Sequence, residues 1–307
     1  MKYINPITIT DALLDASNVT EADATEWTSG GSFSTGQTCM VTTTANGAAT
    51  ATHKIYESVH VGINSGHDPT VDDGTNWTEL SSTNRYKMFD QVVQDQTTRA
   101  DSIEVEITPT TTATGIGFIN LSASEITIVS NDPTDGEVYN KTFSMVSDSG
   151  IINWWTYYFT PIERIKNLAV FDLPPTLGAT LTITITDTGA TAACGICAIG
   201  EYRTIGDTIY GANFSIRDYS QKTEDASGRV TITSGPYRDV ADVTVVMQNS
   251  QFNVVKQLLT AQRSIPAVWV PDETRNGTII YGFYDRFDQM LANPANTECV
   301  IRIEGLI

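Results

Sequence analysis

The feature that most constrains this chain is an alternation of apolar and polar residues with a period of two. Residues 101–107 (DSIEVEI) and 180–186 (TLTITIT) alternate over their whole length. Such alternation places one set of side chains on a core and the other in water, as in half-buried β-strands. It predicts a mainly β fold. The pattern recurs at residues 228–234, 241–247, 278–284 and 298–304.

Turn-forming residues separate these strands and favour antiparallel pairing. They cluster at residues 131–136, 147–150 and 226–228. The clearest helical periodicity lies at residues 251–262, and a shorter helix is predicted at residues 9–16. We therefore predict three segments. They are a small aromatic-rich β module (1–95), an antiparallel β-sandwich (96–205) and an α+β domain with one helix near 251–262 (206–307).

The chain is strongly acidic, and its charge excludes several classes of partner. Lys and Arg number 18 against 36 Asp and Glu, so the formal net charge is −18. A chain with this negative charge repels phosphate backbones and anionic lipid. We therefore predict that it neither binds nucleic acid nor inserts into a membrane. The N-terminal residues show no cleavage-site pattern, so synthesis in the cytoplasm with reduced thiols is expected.

Candidate metal and redox residues are few. Cys194 and Cys197 are close, but a zinc ribbon needs a second such pair, so buried structural thiols are predicted. The three histidines, at positions 53, 60 and 67, would need a folded loop to share one metal. The acidic loops at residues 68–73 and 132–137 are rich in residues that cap turns through their own backbone. No cofactor, metal or catalytic residue is predicted, and the chain is not expected to be an enzyme.

An aromatic cluster at residues 154–159 (WWTYYF) stands out from the rest of the chain. On a strand, alternate rings would point to opposite sides. We expect one side to enter the core and the other to lie at a domain or subunit interface, since an exposed aromatic face is a large apolar patch. The candidate interface residues are Trp154, Trp155, Tyr157 and Tyr158.

Three stretches, distributed along almost the whole chain, together resemble structural proteins of tailed-bacteriophage tails. One stretch lies in each predicted segment. The first comprises residues 33–36 (FSTG), 53–58 (HKIYES) and 83–90 (TNRYKMFD), the second residues 170–174 (VFDLP), and the third residues 216–222 (IRDYSQK) with 225–228 (DASG). The TNRYKMFD sequence is the most specific part.

This resemblance implies a virion structural protein of the tail tip or baseplate, similar to distal-tail proteins. Such proteins pair a tube-like α+β domain with an accessory β-domain, and they form trimers or hexamers that connect the tail to receptor-binding parts. Distal-tail proteins usually place the tube-like domain first, whereas the α+β candidate here comes last. The expected partners are copies of this chain and other tail proteins. A capsid decoration protein is the alternative within the virion.

The first segment also resembles small chitin-binding carbohydrate modules, which implies a second alternative, an accessory protein that binds host surface glycans. In that case Trp27, Tyr56 and Trp77 would stack on sugar rings. A fully buried Trp77 would exclude this hypothesis. The residues that follow the order of these modules are Trp27, Phe33, Gly36, Tyr56, Pro69 and Trp77.

Overall fold

The computed structural model describes residues 1–147, 151–161, 163–225, 227–291 and 294–307. Strands account for 51% of the residues and helices for 8%, which confirms the prediction of a mainly β fold. Almost all strand pairs are antiparallel. A sheet of 14 strands runs through the described chain, and four smaller sheets accompany it.

The N-terminal region contributes two strands to the large sheet and builds two small sheets of its own. One small sheet has the order β3-β5-β6-β8, with β3 and β5 parallel, and the other pairs β4 with β7. A 3₁₀ turn at Lys87–Phe89 follows. The strands are β1 (Lys2–Pro6), β2 (Leu14–Ser17), β3 (Thr25–Glu26), β4 (Ser32–Ser34), β5 (Thr38–Val41), β6 (Lys54–Ser58), β7 (Ile63–Ser65) and β8 (Trp77–Ser82).

The middle of the chain is organised around one strand of 25 residues, β16. Its elements are β9 (Thr97–Ile107), β10 (Gly115–Ser122), β11 (Glu125–Asp132), β12 (Gly136–Ser144), β13 (Val146–Ser147), α1 (Trp154–Phe159), β14 (Glu163–Arg164), β15 (Leu168–Val170) and β16 (Thr180–Thr204).

The long strand β16 belongs to two groups of partners. Its first half pairs with β9 and β11, and its second half pairs with β10 and β1. The pairing with β9 shifts register between Asp187 and Thr191. Ile183 from the first half and Phe118 from β10 lie in the same buried core, so the two groups of strands enclose it together.

The C-terminal region continues the large sheet across β1, which lies between β16 and β22. Helix α2 covers one face of these strands, where Val255 and Leu259 pack against Val243 and Trp269. The elements are β17 (Asp207–Thr208), β18 (Asn213–Asp218), β19 (Gln221–Glu224), β20 (Val230–Thr233), β21 (Tyr237–Gln248), α2 (Phe252–Ala261), β22 (Ala267–Val270), β23 (Ile280–Met290) and β24 (Asn296–Gly305).

Most local predictions are confirmed. The alternating segments lie in strands, and the predicted helix at 251–262 is α2. The helix predicted at 9–16 is wrong, because a turn is followed there by β2, which pairs with β9. The turn at 131–136 connects β11 to β12. The predicted turns at 147–150 and 226–228 include residues 148–150 and 226, which lie outside the described residues.

Gly200 is a point where only glycine fits between neighbouring strands. A Cβ atom there would lie 1.9 Å from the backbone oxygen of Asn5 in β1. Gly200→Ala should therefore lower the free energy of unfolding by about 1–3 kcal/mol, because backbone cannot yield as a flexible side chain does. Urea unfolding measures this. Gly277→Ala, which meets no atom within 4 Å, is the matched control and should change stability little.

Candidate assembly interface

The three aromatic residues predicted to bind sugar lie in the core of the N-terminal module. Trp27, Tyr56 and Trp77 are at most 6% exposed. The Trp77 ring meets Phe33 edge to face at 5.2 Å, and its indole N–H donates to the carbonyl oxygen of His67 at 2.8 Å. Sugar stacking requires an exposed ring face. The prediction that these three side chains bind a glycan is therefore wrong, because so small a module needs them to form its core.

The TNRYKMFD stretch, the most specific part of the resemblance, forms a polar joint. Glu21 is the centre of this joint. His53 Nδ1 lies 2.9 Å from one carboxylate oxygen, Arg85 lies 3.1 Å from the other, and the Thr83 hydroxyl donates to the group as well. Burial opposes ionisation of Glu21, but these hydrogen bonds and the charge of Arg85 outweigh it and lower the pKa of the carboxyl.

The next residues of the stretch fasten the module to β9. The Asn84 side chain donates to the carbonyl oxygen of Thr98 and accepts from its N–H, both at 2.8 Å. The Tyr86 hydroxyl donates to Asp11 at 3.1 Å. Met88 is fully buried within the core beneath β16. The stretch thus joins the module, the N-terminal residues and the large sheet.

The four cysteines are free and buried, which confirms the prediction of structural thiols. Burial raises the pKa of the Cys194 and Cys197 thiols, so both stay protonated and poorly reactive. Neither has the thiolate character that metal binding or disulfide exchange requires.

The acidic loop at residues 68–73 makes turns, as its composition predicts. Asp68 accepts the backbone N–H of Thr70, and Asp72 accepts those of Gly74 and Asn76. These oxygens are occupied by the loop's own backbone. Among the residues that the structure describes, no group of three His, Cys, Asp or Glu side chains is placed to hold a metal ion.

The aromatic cluster is a helix and not the strand that the sequence analysis expected. Asn153 and Thr156 form a capping box at the start of α1, and this reciprocal cap stabilises the helical turn. The expectation that one side of Trp154, Trp155, Tyr157 and Tyr158 enters the core is also wrong, since each of these side chains is more than half exposed.

We call residues 151–161 the aromatic tip. It extends from the two-stranded ladder of β13 and β14, and every residue in it except Thr156 is exposed. Trp154 stacks on Tyr158, and Trp155 contacts Phe159. The rings therefore contact one another, while the rest of the protein leaves them uncovered.

A second uncovered surface was not anticipated from the sequence. We call β18, β19, β20 and residues 237–242 of β21 the β-arm. All residues of β18, β19 and β20 are exposed. Phe214 of the β-arm pairs with the fully buried Ala241, so the two side chains share one face of the sheet. The β-arm thus extends the core face of the large sheet into solvent.

The outer part of the β-arm is a hairpin of β19 and β20 with no core of its own. Val230 and Ile232 lie on the same side of β20, and both are more than half exposed. A two-stranded hairpin is marginally stable in water unless another element packs against it. Residues 213–239 contain four basic and four acidic residues, so this stretch of the β-arm has no formal net charge in a chain of charge −18.

A cleft of about 650 Å³ lies beside the base of the β-arm. Lys166, Arg238 and Asp239 contribute to its wall, and burial raises the pKa of the Asp239 carboxyl. The Arg238 guanidinium lies 2.8 Å from Glu304. Its charge is therefore balanced within the protein and is not available to a ligand.

No protein-family model matches this chain, and a search of curated proteins finds no match. Within the described residues, no helix combines the length and the apolar character needed to cross a membrane.

Proposed function

We propose that this chain is a structural subunit of a tailed-phage virion, in the tail tip or baseplate, that assembles into a ring. The observation that carries the proposal is the β-arm. Its strands expose apolar residues on the continuation of a core face, and its outer hairpin buries none of its own residues. Such a surface requires a neighbour to cover it.

The mechanism is geometric. The β-arm of one copy packs on the sheet of the next, and a heterologous contact of this kind closes into a ring when its rotation permits. The charge balance of residues 213–239 reduces the electrostatic repulsion that two bodies of charge −18 would otherwise experience at this surface. A trimer or a hexamer is the number of copies that the resemblance to distal-tail proteins implies.

The remaining parts of the chain support this role. The polar joint around Glu21 fixes the N-terminal module to the large sheet, so the module is presented in a defined direction. That arrangement suits a part that connects the tail to receptor-binding proteins. Trp27, Tyr56 and Trp77 are buried and expose no ring face on which a sugar could stack, which argues against the glycan-binding alternative.

Immunogold labelling of virions tests the proposal directly. Antibody raised against the purified chain should label the tail tip. Label over the head would contradict the proposal and favour a capsid decoration protein. Absence of the chain from purified virions, established by mass spectrometry, would reject both virion roles.

A further inference from the structure

The aromatic tip has a chemistry that no other part of the described chain shares. Its sequence, IINWWTYYFTP, contains no charged residue, although the chain as a whole carries −18. Seven large apolar or aromatic side chains in it are exposed, and they lie next to one another in sequence. Monomeric proteins rarely expose a contiguous apolar patch of this kind without a function.

The rings cover more than half of the helix circumference. At 100° per residue, the five aromatic residues of α1 span roughly 200° of it. Thr156 lies on the remaining side, and its side chain is used in the capping box. An apolar face this wide is typical of a helix that lies at the surface of an apolar medium, whereas a protein groove covers a narrower face.

The residue types of the aromatic tip are typical of the boundary between lipid and water. Trp and Tyr have apolar rings with a polar N–H or O–H group, and they are enriched at the headgroup level of bilayers. The side chains of Trp154, Trp155, Tyr157 and Tyr158 are each more than half exposed, so their indole N–H and phenol O–H groups can reach partners outside the chain. Lipid headgroups and interfacial water would supply these partners.

We propose that the aromatic tip docks into the interfacial region of an electrically neutral lipid bilayer. A second copy of the tip is a poorer occupant, because an isologous contact between two helices covers only part of an apolar face that spans roughly 200°. Anionic lipid is excluded as the preferred surface, because the charge of the body opposes it.

The docking is shallow. A helix of six residues is roughly 9 Å long, which matches the headgroup and upper acyl region but not the thickness of a bilayer. Membrane insertion was not predicted from the sequence, because the total charge is strongly negative and no long apolar run is present. The inference goes beyond the proposed tail role and does not require it, since a virion-free protein would bind lipid in the same way.

Tryptophan fluorescence with phosphatidylcholine vesicles tests the proposal on the full chain. Of the five tryptophans, Trp27, Trp77 and Trp269 are buried, so Trp154 and Trp155 dominate any change in emission. We expect a blue shift on addition of vesicles, quenching by brominated acyl chains, and flotation of the protein with the vesicles. Replacing some phosphatidylcholine with phosphatidylglycerol should weaken binding at low salt.

The double variant Trp154→Ser/Trp155→Ser should bind vesicles at least about tenfold more weakly. Its melting temperature should stay unchanged, because both rings are more than two-thirds exposed in the folded chain. Tyr210→Ser, which removes an almost fully exposed ring elsewhere, is the control and should bind as the parent does. The proposal is overturned if the parent does not float or if the double variant floats equally well. It is also overturned if the tip drives self-association without lipid binding.

Discussion

Replacing Glu21 with glutamine should lower the free energy of unfolding by about 2–3 kcal/mol, the largest stability effect that we expect from a single isosteric change. The carboxylate is almost fully buried, is hydrogen-bonded to His53 and Thr83, and forms an ion pair with Arg85. Glutamine keeps the shape but removes the charge, so Arg85 loses its ionic partner. Urea unfolding at neutral pH measures the difference.

An exposed ion pair provides the matched control for this variant. Lys54 and Glu79 lie 2.8 Å apart, but about half of the Glu79 side chain is in solvent. Glu79→Gln should therefore change stability by about 0.5 kcal/mol or less. If Glu21→Gln and Glu79→Gln lower the free energy of unfolding equally, burial and the hydrogen-bond network around Glu21 do not add to its stabilising effect.

The Glu21 effect should depend on pH with a defined sign. The folded protein lowers the pKa of Glu21 below its ordinary value of 4.5, so the stabilisation is complete well above that value. It is lost as the pH falls from 4.5 through the lowered pKa, because the parent carboxyl then becomes protonated and resembles glutamine. The stability difference between parent and Glu21→Gln should narrow over that range. A difference that grows on acidification would contradict this account.

Removing the apolar residues of the β-arm should abolish assembly without unfolding the chain. In the double variant Ile216→Ser/Ile232→Ser, two side chains that are about two-thirds exposed in the free chain lose their apolar surface. If a neighbouring copy covers them, each contact weakens by about 3 kcal/mol or more, which is roughly a hundredfold in affinity. Stability of the free chain should hardly change.

Mass photometry of the purified chain and incorporation into virions are the two measurements. The parent should form rings or enter virions, and the double variant should do neither. Leu177→Ser removes an equally exposed apolar side chain outside the β-arm and should behave as the parent does. Normal assembly of the double variant would show that the β-arm is not the interface.

The sequence by itself determined the local structure of this protein. Alternation in residues 101–107 and 180–186 identified strands, because a strand with one buried face needs apolar side chains at every second position. The period of 3.6 in residues 251–262 identified α2. The absence of a second cysteine pair predicted that Cys194 and Cys197 are buried thiols, and both are.

The burial of the aromatic residues could not be predicted from the sequence. Trp27 and Trp77 follow the order of residues in the carbohydrate modules that the sequence resembles, yet they are core residues. Trp154 and Trp155 were expected to lie on opposite sides of a strand, one side in the core and the other at an interface, and both are exposed. An aromatic ring in a core and one on a binding surface are identical in sequence. The capping box at Asn153 and Thr156, which the sequence analysis did not use, is a local feature that favours the helix.

Only the tertiary structure decided which faces are covered. Residues 228–234 alternate as residues 241–247 do, but α2 packs over β21, whereas every residue of β20 is exposed. The position of β1 between β16 and β22 likewise depends on strands about two hundred or more residues away. The periodicity of a strand shows that one face is apolar and the other polar. It does not show which segment covers the apolar face, because that segment is distant in the sequence. For the β-arm, we infer that this layer comes from another copy of the chain.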